Sequence, residues 1–175
     1  MEIVLTNQPA QRQDLVAALE AFARQHQLAA SIRQAADLAL EEHLTNIMRY
    51  GYKDAQPHEV RVRLGLEEGC LVIEVQDDGP GIPVEHREKV FDRFYRIDVA
   101  RSREKGGVGL GLAIAKWGAE AHGGRLELHC PSDGGCLFRL LLPVAQASAP
   151  DSPILTGRSE ILQESFSHGA GRLDV

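Results

Sequence analysis

The stretch VIEVQDDGPGIP, residues 72–83, decides how this chain is read: an alternating segment that runs into an Asp-Asp-Gly-Pro-Gly turn. A period of two puts Leu71, Ile73 and Val75 on one face and Val72, Glu74 and Gln76 on the other, so a strand is expected. Counting on by twos places Asp77 on the apolar face. A carboxylate turned towards a core needs a fixed hydrogen-bond donor, because burying it unpaired is costly. An Asp-Gly pair after a strand arises equally well as a plain turn cap. The residues on either side decide between the two.

Upstream, HEVRVRLGLEEG alternates in the same way and is joined to CLVIEVQDD by a Glu-Glu-Gly turn, which predicts a hairpin whose Val60, Val62 and Leu64 share the core with Leu71, Ile73 and Val75. Further upstream, apolar positions Ala36, Leu40, Leu44, Ile47 and Met48 predict a helix over about 29–50, ended by Gly51. Glu42, Asn46 and Arg49 stand at i, i+4 and i+7 and project together from another side of it. A solvated charged face is the usual reason for such a row. Here, however, the same row begins with Ala35, Leu38 and Ala39, as expected for a helix lying under a cleft. The opening MEIVLT reads as a short strand. Asn7 to Gln27, with Leu15, Leu19, Phe22 and Ala23 in helical spacing, reads as an amphipathic helix.

Downstream, residues 82–108 lose clean periodicity and contain VFDRFYRID, the behaviour of a lid or binding loop. The segment ends in KGGVGLGLAIAKWGAEAHGG, where glycines lead into an apolar-periodic helix that stops at Gly123-Gly124. The unpaired N–H groups and positive dipole end of such a helix form an anion site, although glycines alone would equally make a hinge. RLELHC and GCLFRLLLP then predict a closing hairpin through PSDGG, with Leu126, Leu128, Phe138, Leu140 and Leu142 apolar. Ser, Pro and Gly rise from Ala145 on, so one domain over 1–144 with a tail over 145–175 is expected.

The 175 residues, 43% hydrophobic, suffice for one well-formed core, and a net charge of -6 speaks against a general nucleic-acid or anionic-membrane surface. No apolar run approaches the ~20 residues of a membrane span and no signal peptide is visible, so a cytoplasmic protein is expected. Cys70, Cys130 and Cys136 are odd in number and lack CxxC spacing, and read as reduced, half-buried residues.

In chain order, EEHLTNIMRYGY, DDGPGIP, VFDRFYRID and GGVGLGLAIAK resemble the N, G1, F and G2 boxes of the GHKL superfamily of ATP-binding domains. Four ordered motifs over roughly 30–143 are far more specific than one. The resemblance implies an α+β fold, a two-layer sandwich of a mixed, mostly antiparallel sheet with helices on one face, and ATP and Mg²⁺ as ligands. It implies that Asp77 receives the adenine amino group, that Gly79 and Gly81 let the backbone pass close to the base, and that Asn46 holds magnesium. By the same resemblance Arg49 meets the phosphates, the amides around Gly107, Gly109, Leu110 and Gly111 receive them, and Phe91 and Phe94 are F-box residues.

Within the superfamily, the F box and GLGL run are most similar to histidine kinases. Glu42, by contrast, stands where those kinases commonly carry Asn and resembles the general base of the anti-sigma-factor serine kinases typified by RsbW and SpoIIAB. A carboxylate can deprotonate an attacking hydroxyl, whereas an amide cannot. Only about forty residues precede the N box, and no histidine lies in an acceptor motif. The expectation is therefore a serine/threonine kinase of anti-sigma type with Glu42 as catalytic base. Its implied partners are a small antagonist protein and a sigma factor, without nucleic acid or membrane, and homodimers are common in that family. The alternatives are the catalytic domain of a sensor histidine kinase acting on a phosphoacceptor in another chain, and an ATP-gated binding module.

Overall fold

Strands β1 (Glu2–Thr6), β2 (Glu59–Glu67), β3 (Cys70–Asp77), β4 (Arg125–His129) and β5 (Cys136–Pro143) form one sheet of order β1-β2-β3-β5-β4 in the computed structural model. The structure describes residues 1–8, 11–52, 54, 56–97, 108–132 and 134–144. Every pairing in this sheet is antiparallel, so the parallel element that a mixed sheet would contain is absent among the described residues. Helices α1 (Arg12–Gln25), α2 (Ala30–Asn46) and α3 (Gly111–Ala121) complete an α+β sandwich.

The period-two pattern sets the core. Val60, Val62 and Leu64 of β2, Leu71, Ile73 and Val75 of β3, and Leu140 and Leu142 of β5 form one buried cluster with Leu15, Leu19 and Phe22 of α1 and Ala36, Leu40 and Leu44 of α2. The β2–β3 hairpin closes at Glu68 and Gly69, both with positive φ, at 50° and 77°. Such a turn matches the twist of the strands it joins.

The outer face of the sheet carries a device that strand periodicity does not show. In register across all five strands lie Glu2, Arg63, Glu74, Arg139 and Glu127, a row of alternating sign. Arg63 Nε donates to Glu74 at 2.8 Å, and Arg139 Nη2 donates to Glu67 at 2.8 Å. Because a slip of one residue would turn the whole row inward, these pairs reinforce the register that the apolar face demands.

Two expectations are corrected here. The helix over 29–50 is α-helical only to Asn46 and continues as a π turn over Ile47–Gly51, so Arg49 does not keep the i+7 position of a regular helix. Cys130 and Cys136 are joined by a disulfide, leaving Cys70 as the free cysteine. The hairpin through PSDGG, formed as β4 pairs antiparallel with β5, brings its two flanking cysteines together, and the missing CxxC spacing was a poor guide to their state. Among the described residues no helix is long and apolar enough to cross a membrane. The expected tail, 145–175, lies outside the described residues.

Candidate functional site

Asp77 ends β3 half-buried, and it has the donors that its direction calls for. Its Oδ1 accepts the Gly79 N–H at 2.9 Å, and the Cys136 N–H also donates to it. Burial raises the carboxyl pKa above its ordinary value, and the two backbone donors offset part of that rise.

The glycines beside Asp77 are required by close approaches. A Cβ on Gly79 would stand 2.8 Å from Asp77 Oδ1 and 3.2 Å from the Gly51 carbonyl oxygen, at the end of the π turn. Gly81 has φ +75°, and a Cβ there would stand 3.3 Å from the Gly135 carbonyl oxygen in the β4–β5 hairpin. The turn after β3 is therefore wedged between the end of the α2 segment and the loop before β5.

Glu42 and Asn46, one turn apart on α2, are both half-buried, whereas Arg49 on the π turn is exposed. Two residues of the row that begins at Ala35 pack against α3, where a cleft was expected: Leu38 faces Gly118, and the Glu42 carboxylate lies against Gly111, the first residue of α3. Leu110 is the N-cap of that helix and Gly109 precedes it with φ +74°. The Gly109 carbonyl accepts the Phe94 N–H at 2.7 Å, which ties the F-box segment to the start of α3. Gly107 lies outside the described residues, as do its neighbours 98–106.

The two F-box phenylalanines diverge. Phe91 is half-buried, edge-on to Phe138 at 6.3 Å, in a small cluster with Ile82, Leu112 and the Cys130–Cys136 pair, and the Lys116 ammonium lies 5.5 Å from its ring centre. Phe94 is 66% exposed. His43, beside Glu42, is buried with its ring 3.7 Å from that of Phe138, and both its nitrogens lack a hydrogen-bond partner. Burial pushes its pKa down to about 3, so the ring is neutral at physiological pH.

Sequence reasoning passed over a polar cluster at the same turn. The Tyr52 hydroxyl donates to Asp78 Oδ1 at 2.7 Å, and its ring stacks on His58 at 3.8 Å and 10°. His58 is hydrogen-bonded to Asp54 at 2.8 Å, which raises its pKa. The second Asp of DDGPG was the available signal, but only the fold brings Tyr52 and His58 to it. A cavity of about 180 Å³ between α1 and α2 is lined by Arg12, Leu15, Val16, Leu19, Asp37 and neighbouring residues, and none of the candidate residues lines it.

One helix thus connects an acid-bearing turn to a glycine-led helix start. Residues 32–146 match the family described as histidine kinase-, DNA gyrase B-, and HSP90-like ATPase. The chain belongs to this family. The sensor protein kinase WalK of Staphylococcus saprophyticus subsp. saprophyticus is 42% identical to this ATPase domain over 100 residues, 57% of the chain and 16% of that protein. WalK of Staphylococcus aureus is 41% identical over 100 residues, 24% of that protein. The mycobacterial sensor histidine kinase MprB superposes with a TM-score of 0.53 at 25% identity, covering 82% of this chain and 98% of that one. Full-length ShkA, solved with AMPPNP, gives a TM-score of 0.53 at 25% identity over 67% of this chain and 23% of its own.

These relatives overturn the expectation of an anti-sigma serine/threonine kinase, and with it the antagonist and sigma-factor partners. That reading leaned on Glu42, one side chain, against a likeness to sensor kinases that extends over 100 residues. It leaned also on length. The chain spans at most a quarter of the WalK proteins it matches, so the shortness of the segment before the N box does not discriminate.

Proposed function

We propose that this ATPase domain, over 1–144, is the catalytic domain of a sensor histidine kinase: it binds Mg-ATP and transfers the γ-phosphoryl group to a histidine carried on a separate phosphoacceptor segment. The observation that carries the proposal is the span of the α2 segment. At its C-terminal end the π turn abuts Gly79, beside the Asp77 carboxylate, and further back along the same segment Glu42 abuts Gly111 at the start of α3. A base and a triphosphate have those two needs.

In this reading Asp77 accepts the adenine amino group, and Gly79 and Gly81 keep the wall flat enough for the base to lie against backbone. The N–H groups around Gly107, Gly109, Leu110 and Gly111, with the positive end of α3, receive the β- and γ-phosphates, and Arg49 adds a cation. The donor set fits magnesium: Asn46 offers a hard amide oxygen, and phosphate oxygens would complete the shell. Bound there, the ion neutralises phosphate charge. Glu42 accepts a hydrogen bond from one N–H of the acceptor imidazole, which turns the lone pair of the other nitrogen towards the γ-phosphorus. Phosphoryl transfer asks mainly for such positioning and charge neutralisation.

Incubation with labelled Mg-ATP and an isolated phosphoacceptor helix pair from a sensor kinase tests the proposal. Acid-labile, base-stable phosphate on the acceptor is the expected product. Absence of any heat of association with millimolar Mg-ATP in calorimetry would refute the reading at its first step.

A further inference from the structure

Cys130 and Cys136 stand on either side of the loop that forms the back of the Asp77 turn. Cys136 is the register partner of Asp77 across β3 and β5, and its N–H donates to the Asp77 carboxylate. The preceding residue, Gly135, donates its N–H to the Gly79 carbonyl at 2.6 Å. Its φ is +73°, and a Cβ there would collide with the Asp77 carbonyl oxygen. Gly134, with φ +110°, would bring a Cβ to 3.3 Å from Gly79 O, and the Gly135 carbonyl packs on Gly81. Every glycine assigned to the base therefore touches the short segment that the disulfide closes.

We infer that the Cys130–Cys136 disulfide is a redox-responsive site that sets nucleotide affinity, the oxidised form holding Mg-ATP more tightly than the reduced form; the inference rests on the nucleotide-binding reading above. Two consecutive glycines with positive φ are the freest backbone in the hairpin, and a covalent ring limits the conformations open to them. Released from the ring, Gly134 and Gly135 sample more states, and the Gly135 to Gly79 and Cys136 to Asp77 hydrogen bonds are made for a smaller fraction of the time. Nucleotide binding must then order the turn, and affinity falls.

The chemistry is thiol–disulfide exchange with a dithiol reductant. One reductant thiolate attacks a cysteine Sγ to form a mixed disulfide, and the other cysteine leaves as a thiolate. The second reductant thiol then displaces the first cysteine. Two electrons and two protons pass to the protein, giving two thiols, and the reductant becomes a disulfide. Both cysteines are 4% exposed while Pro131 and Ser132 at the tip are exposed, so exchange proceeds through opening of the tip. Cys70 is no partner in this. It pairs with Pro143 at the far end of the ladder, seven residues or about 23 Å of strand from the Asp77–Cys136 pair.

The test is a titration of the full chain with Mg-ATP by calorimetry, first oxidised with diamide and then reduced with dithiothreitol, with thiols counted by alkylation and mass spectrometry. The expected result is one alkylatable thiol when oxidised and three when reduced, and a Kd about fivefold or more higher in the reduced form, reversed by reoxidation. Cys130→Ser is expected to hold the reduced-form Kd under both conditions, and Cys70→Ser to keep the full response. Three alkylatable thiols after oxidation, or one Kd in both forms, would overturn the inference and leave the nucleotide site standing. Nucleotide binding in neither form would overturn both.

Discussion

The carboxylate of Glu42 lies against the backbone of Gly111 at the first turn of α3, where a Cβ on the glycine would collide with its Oε2. An anion is favoured at that end of a helix, and so is a phosphate. Glu42→Ala removes the side chain without touching the N–H groups of the helix start. Nucleotide affinity should survive, while phosphoryl transfer should fall ~10²-fold or more, the scale of losing a group that orients or accepts a proton. Transfer assays beside a calorimetric Kd separate the two effects, and transfer at the wild-type rate would remove Glu42 from its role.

Asp77 presents the opposite pattern, a residue that serves binding at the expense of stability. Its folded pKa is raised above 3.8, first by burial, so its contribution to stability is complete below 3.8 and lost as pH rises through the raised value. At neutral pH the folded state carries a partly desolvated carboxylate. Asp77→Asn should therefore leave the melting temperature unchanged or higher. The same substitution should weaken ATP binding by about tenfold or more, since a charged acceptor is replaced by a neutral amide. A variant that loses melting temperature but keeps its affinity would show Asp77 to be a structural cap.

The sheet and the first helix were legible because burial there follows simple periods. Leu15, Leu19, Phe22 and Ala23 are the buried residues of α1, and the inward direction of Asp77 followed from counting by twos along β3. Other features depend on which strands become neighbours. The Tyr52–His58 stack and the reach of the charged row from Glu74 to Arg139 join residues whose separation in sequence carries no signal, whereas the Cys130–Cys136 bond lay within an expected hairpin and was missed on its cysteine spacing. The π turn was hidden for another reason: one extra residue per turn leaves the apolar pattern of Leu44 and Ile47 intact while rotating Arg49. The subgroup was misread at Glu42, since a carboxylate suited to one reaction also suits an acceptor imidazole.

His43 should govern stability in acid. Its ring is buried with neither nitrogen hydrogen-bonded, and its folded pKa is about 3 against 6.5 for the exposed ring. Between these values the unfolded chain binds a proton that the folded chain refuses, so wild-type stability falls as pH drops from 6.5 towards 3. His43→Leu keeps comparable volume against Phe138 and removes the two unpaired polar atoms. Urea unfolding should show about 1 kcal/mol of added stability at pH 7 and a shallower loss on acidification. An unchanged pH slope would mean that other groups set the acid limit.

Gly109 couples the F-box segment to α3. A Cβ at this position would stand 2.8 Å from the Tyr95 carbonyl oxygen and 2.9 Å from the Phe94 carbonyl carbon, and the φ of +74° is itself unfavourable for alanine. Those obstacles are backbone atoms, which cannot swing aside as a side chain can. Gly109→Ala should break the Phe94 to Gly109 hydrogen bond, cost about 1–3 kcal/mol of local strain and lower nucleotide affinity. Hydrogen exchange at the Phe94 amide checks the first link and calorimetry with Mg-ATP the last; protection and affinity equal to wild type would mean that the turn relaxes freely.

Glu74 sits at the centre of the charged row, between Arg63 on β2 and Arg139 on β5. The hydrogen bond from Arg63, its largest influence, lowers its pKa below 4.5. The stabilisation is therefore complete above 4.5, the unfolded value, and is lost as pH falls through the lowered folded value. Glu74→Gln should cost about 0.5–1 kcal/mol at neutral pH and low salt, the range of partly exposed ion pairs. The difference from wild type should shrink in molar salt, and again as pH falls through the lowered folded value. Glu74→Lys places three like charges in register and should cost more than the Gln variant. Equal stabilities for the two variants would mean that the row sets no register and that the apolar face alone holds the strands in line.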